Sequence, residues 1–192
     1  SDTVILKVPL NSSEYYLIEN RQRDVLNDGA NIVYKSNGSI INRKFTKDTT
    51  GFYSFDTDSL SGVVLDADEF DWALPGNGIV IWHIDENVIN EKLAENKINT
   101  DKTKRGVDVE EADGVQDIGE KFITIFGDEV IGEGTDEDFW YSGNKASLYK
   151  NRFSKDTRPD TRTNSNANSL ITIKDFSAVS NKMSFKIEYG DS

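Results

Sequence analysis

The chain has 192 residues, of which 34 are acidic and 22 are basic, so its formal net charge is −12. This length suits one large β domain better than two small ones, and 36% hydrophobic residues are enough to build a core. A sequence pI of about 4.5 means that the overall field repels a phosphate backbone, which argues against nucleic-acid binding. The absence of cysteine excludes disulfides, zinc–thiolate sites and cysteine nucleophiles.

Neither a membrane span nor a signal peptide is predicted. No segment approaches the roughly 20 apolar residues that cross a bilayer. The chain opens on Ser1-Asp2 with a strand close behind, which does not resemble a secretory leader. Because the first residue is not Met, we expect a processed or truncated piece of a larger protein.

The first part of the chain predicts strands. Apolar residues alternate from Val4 to Val8, and Glu14 to Asn20 is rich in aromatic and branched residues. The pair Asn37-Gly38 favours a type I′ turn, which predicts a hairpin with arms near residues 31–35 and 39–45. Residues 51–74 mix aromatic and acidic side chains, and we expect short strands and ordered loop there.

The middle of the chain carries its strongest signal. Ile79 to Ile84 are six successive large uncharged residues, which predicts a strand buried on both faces. The run Leu74-Pro75-Gly76-Asn77-Gly78 forces a turn before it. Asp85 is a suitable N-cap for an amphipathic helix over residues 86–97.

The remainder predicts further strands and one long loop. Strands are expected at Val107 to Ala112, at Phe122 to Phe126, at Leu170 to Ile173 and at Met183 to Tyr189. Residues 154–169 are almost wholly polar and predict a loop. The expected fold is mainly β, a β-sandwich or barrel-like arrangement of antiparallel sheets with one or two short helices, in a single domain over residues 1–192.

His83 is the only histidine, so any imidazole chemistry belongs to this position. A zinc hydrolase site needs at least three protein ligands, and no HExxH motif is present. No Gly-x-Ser-x-Gly elbow supports a Ser/His/Asp triad, and carboxylate pairs are unspecific among so many acids. His83 and Asp85 share one strand face. We expect structural roles for Trp82, His83 and Asp85, with contact to another domain's active site as the alternative for His83.

Calcium binding is the best-posed ligand hypothesis. Hard cations prefer clustered carboxylate and carbonyl oxygens on bending loops. Three stretches offer such oxygens: Asp66 to Asp68, Glu110 to Gly114, and Gly127 to Asp138. None matches the EF-hand loop, and a solvated acidic loop is the alternative for each. The candidate calcium ligands are Asp113, Asp128, Asp136 and Asp138.

Several motifs in order resemble one family. They are Glu14 to Gln22, Leu74 to Glu86, Val107 to Gly114, Asp138 to Gly143 and the closing strand pair. This series resembles the region just downstream of the HExxH zinc site in secreted metallopeptidases of the immune inhibitor A type. Relative to that pattern, residues 24–71 look like an insertion.

The resemblance implies a particular kind of domain. It implies a non-catalytic β-domain of a secreted bacterial zinc metallopeptidase, with zinc held only in an upstream protease domain that this chain lacks. That protease domain would be the partner, and this chain alone would not be an enzyme. The alternative is a stand-alone extracellular carbohydrate- or surface-binding β-sandwich, in which Trp72, Trp140 and Tyr141 would stack on sugars.

Overall fold

The computed structural model describes residues 4–26, 28–45 and 62–190, with the backbone alone at residues 72 and 73. The chain divides into two compact units, one of residues 1–20 and 78–192 and the other of residues 21–77. The range 24–71, expected as an insertion, falls within the second unit. Within the described ranges no helix is long and apolar enough to cross a membrane.

The described residues are mainly β, as predicted, and their sheets are antiparallel without forming a closed barrel. The elements in chain order are β1 (Leu6–Pro9), β2 (Glu14–Arg21), β3 (Ala30–Ser36), β4 (Ser39–Phe45), β5 (Val63–Ala67), β6 (Gly78–Asp85), α1 (Glu86–Lys92), β7 (Val107–Val109), β8 (Lys121–Ile123), β9 (Glu129–Ile131), β10 (Arg152–Phe153), β11 (Ile171–Lys174) and β12 (Lys186–Tyr189). Short 3₁₀ segments add Phe70–Ala73, Leu93–Glu95 and Asp136–Asp138.

In the first unit, β6 is an inner strand of the sheet β1-β2-β6-β7. Its residues are buried or half-buried throughout, which confirms the strand predicted from its apolar run. A second sheet of order β10-β11-β12 shares one core with the first. The buried core residues are Val8, Tyr16, Ile18, Ile79, Ile81, Ala112, Trp140, Phe153, Ile171, Ile173 and Phe176.

The second unit contains the sheet β4-β3-β5. The predicted hairpin is confirmed, because Asn37 and Gly38 both have positive φ, at 48° and 81°, as a type I′ turn requires. Strand β5 pairs with β3 and lies in the stretch expected to hold short strands. The part of that stretch at residues 51–61 lies outside the described residues.

Several predicted elements end earlier than expected. The helix over residues 86–97 is α-helical only as far as Lys92, and of its residues only Val88 is buried, so little packing supports a longer helix. The strand expected at Val107 to Ala112 ends at Val109, since Ala112 turns to donate its N–H to Asp138. The strand expected to reach Phe126 ends at Ile123, where a turn closed by Thr124 leads into β9.

Candidate functional site

The central feature of the first unit is a buried imidazole between two carboxylates. Side chains alternate along a strand, so Glu14 and Tyr16 of β2 face the same side, as do Ile81 and His83 of β6. Because β2 and β6 are neighbours in the sheet, Glu14 reaches His83. Glu110 follows β7, the other neighbour of β6, and reaches the same ring.

Both ring nitrogens of His83 have carboxylate partners. Nδ1 lies 3.1 Å from Oε1 of Glu110, and Nε2 lies 3.2 Å from Oε2 of Glu14. All three side chains are buried. A neutral imidazole has only one N–H, whereas an imidazolium donates from both nitrogens. Two carboxylates that accept on opposite sides therefore favour the doubly protonated ring.

The pKa directions follow from this geometry. Burial alone would lower the pKa of His83, but hydrogen bonds and charge attraction from Glu110 and Glu14 outweigh it and raise that pKa. Burial raises the pKa of Glu110, although the imidazole opposes the rise. The site is thus a buried charge cluster whose three members depend on one another.

Asn164 extends the cluster toward helix α1. Its backbone N–H donates to Oε2 of Glu14 at 2.7 Å, and its side-chain Nδ2 donates to Oδ2 of Asp85 at 2.9 Å. The other oxygen of Asp85 accepts from the backbone N–H groups of Asn87 and Val88, which is the predicted helix cap. One asparagine from the polar loop therefore connects the histidine cluster to the helix start.

Tyr16 covers one edge of the imidazole. Its ring meets the His83 ring edge-on, with 5.1 Å between centroids. The Tyr16 hydroxyl is buried and has no hydrogen-bond partner among the described residues. Burial, followed by repulsion from Glu110, raises the pKa of Tyr16 well above its usual value.

This arrangement suits anchoring better than catalysis. A general base needs one ring nitrogen with a lone pair facing a nucleophile, and a zinc ligand needs one facing the metal. Here each nitrogen faces a carboxylate instead. The residues present therefore do not fit a zinc site at His83.

A second acidic group lies at the segment after β7. Ligand oxygens of Glu111, Asp113 and Asp138 all lie within 4.8 Å of one another. Two of the four candidate calcium ligands, Asp113 and Asp138, thus come together, joined by Glu111 from one of the three acidic stretches. Asp128 instead lies exposed in the β8–β9 turn, and Asp136 is exposed on a 3₁₀ segment.

The electrostatics of this group are unusual. Burial, reinforced by Asp138 and Asp117, raises the pKa of Glu111 to about 8, even though it accepts the N–H groups of Asp117 and Ile118. Burial also raises the pKa of Asp138 to about 6. A cation placed among these oxygens would favour their ionised forms and so oppose the effect of burial, which keeps protons on them.

The acidic stretch from Asp66 to Asp68 has a structural role. Asp68 accepts hydrogen bonds from the backbone N–H and the side-chain amide of Asn31, so it holds a strand of the hairpin in place.

The second unit also contains an acidic group, in which ligand oxygens lie within 4.8 Å of one another: Asp24, Asp28 and Glu69. These three residues carry no local sequence signal, because Glu69 lies 41 residues or more from the other two.

The aromatic residues expected to stack on sugars are not exposed within the described part of the chain. Trp140 is 1% exposed and donates its Nε1 to the carbonyl of Glu110, so it belongs to the core. Tyr141 is half-buried, and the side chain of Trp72 lies outside the described part of the chain. Trp82 donates its Nε1 to Glu19 at 2.8 Å and remains half-buried on β6.

Comparison with known proteins adds no family to these observations. No protein-family model, curated protein sequence or solved structure matches the chain. Function is therefore inferred from the residues and their geometry.

Proposed function

We propose that this chain is a non-catalytic β-domain that accompanies the protease domain of a secreted zinc metallopeptidase of the immune inhibitor A type. The upstream protease domain would hold the zinc and perform hydrolysis. This domain would give it structural support or contact its substrate or partner.

The observation that carries the proposal is the meeting of three sequence motifs in one buried cluster. Glu14 belongs to the first motif of the resemblance, His83 and Asp85 to the second, and Glu110 to the third. All four lie in the network centred on the imidazole. Residues that specify a fold are expected to lie in motifs that are separate in the sequence but joined in one network.

A structural role also follows from the cost of burying such a network. Removing charges from water is expensive unless each is paired and hydrogen-bonded. The cluster meets that condition through Glu14, His83, Glu110 and Asn164. It connects β2, β6 and the segment after β7, so it holds the sheet in one register and supports a rigid domain.

An exposed apolar turn supports contact with another domain. Ile125 and Phe126, between β8 and β9, are 94% and 85% exposed. The turn is held by Thr124, whose hydroxyl accepts the backbone N–H groups of Phe126 and Asp128. Adjacent large apolar residues displayed on an ordered turn are typical of a surface that another protein covers.

Calcium binding belongs to the same proposal. The favoured ligands are Glu111, Asp113 and Asp138, whose oxygens lie close enough together for one hard cation. A cation there would fasten the segment after β7 to the 3₁₀ segment that carries Asp138.

The test begins with the gene that encodes this chain. We expect its full open reading frame to carry an HExxH motif upstream. The purified 192-residue chain should not cleave casein, whereas the full protein should do so in a zinc-dependent manner. An open reading frame without an upstream zinc motif would overturn the proposal, as would cleavage by the chain alone that survives repeated purification.

A matched pair of variants then tests the accessory role in the full protein. Replacing Ile125 and Phe126 together by serine should lower the thermal stability or activity of the full protein while leaving the isolated chain folded. The control replaces Val63 and Leu65, which are exposed apolar residues of β5, in the same way. Equal effects from both pairs would count against a specific contact at the β8–β9 turn.

A further inference from the structure

A cavity of about 310 Å³ lies in the first unit, beside strand β7. Its size is at the lower end of the range of ligand pockets, roughly 300–1,000 Å³. Trp82, Val107, Val109 and Ile118 supply its apolar lining, and Gly119 opens one wall. The indole of Trp82 is held in orientation by its bond to Glu19, so a flat aromatic surface is prepared in advance.

Polar groups with both donor and acceptor character surround this surface. Arg105 donates to Asp108 at 2.7 Å and also pairs with Glu120. Among the described residues, the second oxygen of Asp108 has only a 3.4 Å contact with the side-chain amide of Gln116. Asn99 accepts the N–H of Val107, and its own amide nitrogen has no partner among the described residues. Adjacent donors and acceptors match hydroxyl groups, each of which both donates and accepts.

The charges around the cavity balance. Arg105 and Lys102, which pairs with Glu120 from outside the lining, carry two positive charges, and Asp108 and Glu120 carry two negative ones. The remaining carboxyl, Glu111, accepts the backbone N–H groups of Asp117 and Ile118, one on each oxygen. Each charged side chain around the cavity therefore already has an ionic or hydrogen-bonding partner within the protein, and none is reserved for an ionic ligand.

We propose that this cavity binds one ring of a neutral sugar. The apolar face of the ring would lie on the Trp82 indole, and its hydroxyls would bond to Asp108, Arg105 and Asn99. Large aromatic side chains supply contact area at small entropic cost, while fixed planar polar groups set the orientation of the ligand. The proposal does not rest on a protease partner, and it moves sugar contact from Trp140 and Tyr141 to Trp82.

The experiment uses isothermal titration calorimetry and tryptophan fluorescence on the whole chain. The neutral probes are cellobiose, maltose and N,N′-diacetylchitobiose, and the charged probes are glucosamine and glucuronate. We expect at least one neutral probe to bind with a dissociation constant on the order of 1 mM, which is typical of a single shallow contact site. Neither charged probe should bind more tightly than that neutral probe.

Variants assign the binding to the cavity. Trp82→Ala should weaken binding of the neutral probe by about tenfold or more, since truncating a central aromatic removes the main contact. Trp82→Phe keeps an aromatic ring in the sheet and should bind weakly, without the fluorescence change that the probe causes. The control Tyr189→Ala removes an aromatic that is 70% exposed on β12, and it should bind as the unaltered chain does.

Three results would overturn the proposal. The first is no heat and no fluorescence change with any neutral probe at about 10 mM, a concentration that would reveal millimolar binding. The second is tighter binding of either charged probe. The third is binding that survives in Trp82→Phe with the fluorescence change intact. Thermal unfolding of each variant identifies any loss of fold, and Trp82→Phe decides the test if Trp82→Ala unfolds.

Discussion

Glu110 places a carboxylate oxygen 3.1 Å from Nδ1 of His83, although 27 positions separate the two residues in the chain. Strand β7 lies next to β6, and Glu110 follows it directly, so the sheet itself creates the contact. A second carboxylate on Nε2 makes the imidazole a shared cation between two acids. Stability, more than reactivity, is what this geometry controls.

Replacing His83 by alanine should destabilise the chain strongly. The change leaves Glu14 and Glu110 buried without their common partner, and breaking a buried ion pair typically costs about 3–5 kcal/mol. Chemical denaturation at pH 7 measures the loss. The control is Lys186→Ala, which removes an exposed pair with Asp175 and should cause no measurable change. Equal stability of the two variants would show that the buried cluster contributes no more to the free energy of unfolding than an exposed ion pair does.

Stability should fall as the pH rises from about 5 to about 9. His83, Glu110, Glu111 and Asp138 all have folded-state pKa values raised above their ordinary ones. The folded chain therefore binds more protons than the unfolded chain. The stabilisation from Asp138 is lost between its ordinary pKa of 3.8 and about 6, and that from Glu111 between 4.5 and about 8. For His83 the loss begins at 6.5 and continues upward.

The measurement is the free energy of unfolding by denaturant at several pH values, with a chelator present. We expect a decrease on the order of 2 kcal/mol across the range. Glu111→Gln should flatten the curve between about pH 5 and 8, because it removes one of the titrating groups. A curve that rises with pH would contradict the raised pKa values.

Tyr16→Phe should be neutral or stabilising. The Tyr16 hydroxyl is buried without a partner among the described residues, and such a group costs about 1–3 kcal/mol. Removing the oxygen while keeping the ring retains the packing against His83 and Phe153. By contrast, Tyr16→Ala leaves a cavity and should cost about 3–5 kcal/mol. The two variants are compared by thermal unfolding, and a large loss in Tyr16→Phe would reveal a hydrogen bond to the hydroxyl.

Asn164→Ala tests the link between the histidine cluster and helix α1. The variant loses the bonds from Nδ2 to Asp85 and to the carbonyl of Arg105, which should cost about 1–3 kcal/mol. Asn181, which is exposed near the turn between β11 and β12, supplies the control Asn181→Ala. Hydrogen exchange at α1 should speed up in the first variant alone. Unchanged exchange there would mean that Asp85 caps the helix without help from Asn164.

Calcium should stabilise the chain, most clearly above pH 8, where Asp138 is ionised and Glu111 loses its proton. A ligand that binds only the folded state raises the unfolding temperature, here on the order of 5 °C when calcium is about a hundredfold above its dissociation constant. Differential scanning fluorimetry with calcium or magnesium measures the shift.

Matched variants locate the metal. Asp138→Asn should abolish the shift, because Asp138 belongs to the group with Glu111 and Asp113. Asp128→Asn should leave it intact, because Asp128 lies in the exposed β8–β9 turn. No calcium response in the unaltered chain at millimolar concentration would exclude a strong site.

Features that depend on neighbouring residues were predictable from the sequence. The apolar run at Ile79 to Ile84 predicted β6, the Asn37-Gly38 pair predicted its turn, and Asp85 predicted the helix start. Each depends on backbone preferences and hydrogen bonds that span only a few positions. The mainly β fold follows from the same local preferences.

Element ends were harder to predict, since they depend on packing. The amphipathic pattern after Asp85 predicted a helix over residues 86–97, but α1 ends at Lys92 because little of the helix is buried. Phe122 to Phe126 had the composition of a strand, yet Thr124 closes a turn inside it. An apolar residue near the end of a predicted element does not show by itself whether a hydrophobic core is close enough to bury it.

The residues that meet in the candidate site were decided by tertiary structure alone. Nothing local to Glu14, Glu110 or Asn164 marks them as partners of His83, and the acidic composition offers many equivalent candidates. Asp113 lies beside Asp138 and not beside Asp128, because the segment that follows β9 brings Asp138 close to the segment that follows β7. The sequence determined which strands form, through short-range preferences. The order of strands in the sheet and the path of the polar loop decided which charges share the buried interior, because burial energies depend on contacts between distant parts of the chain.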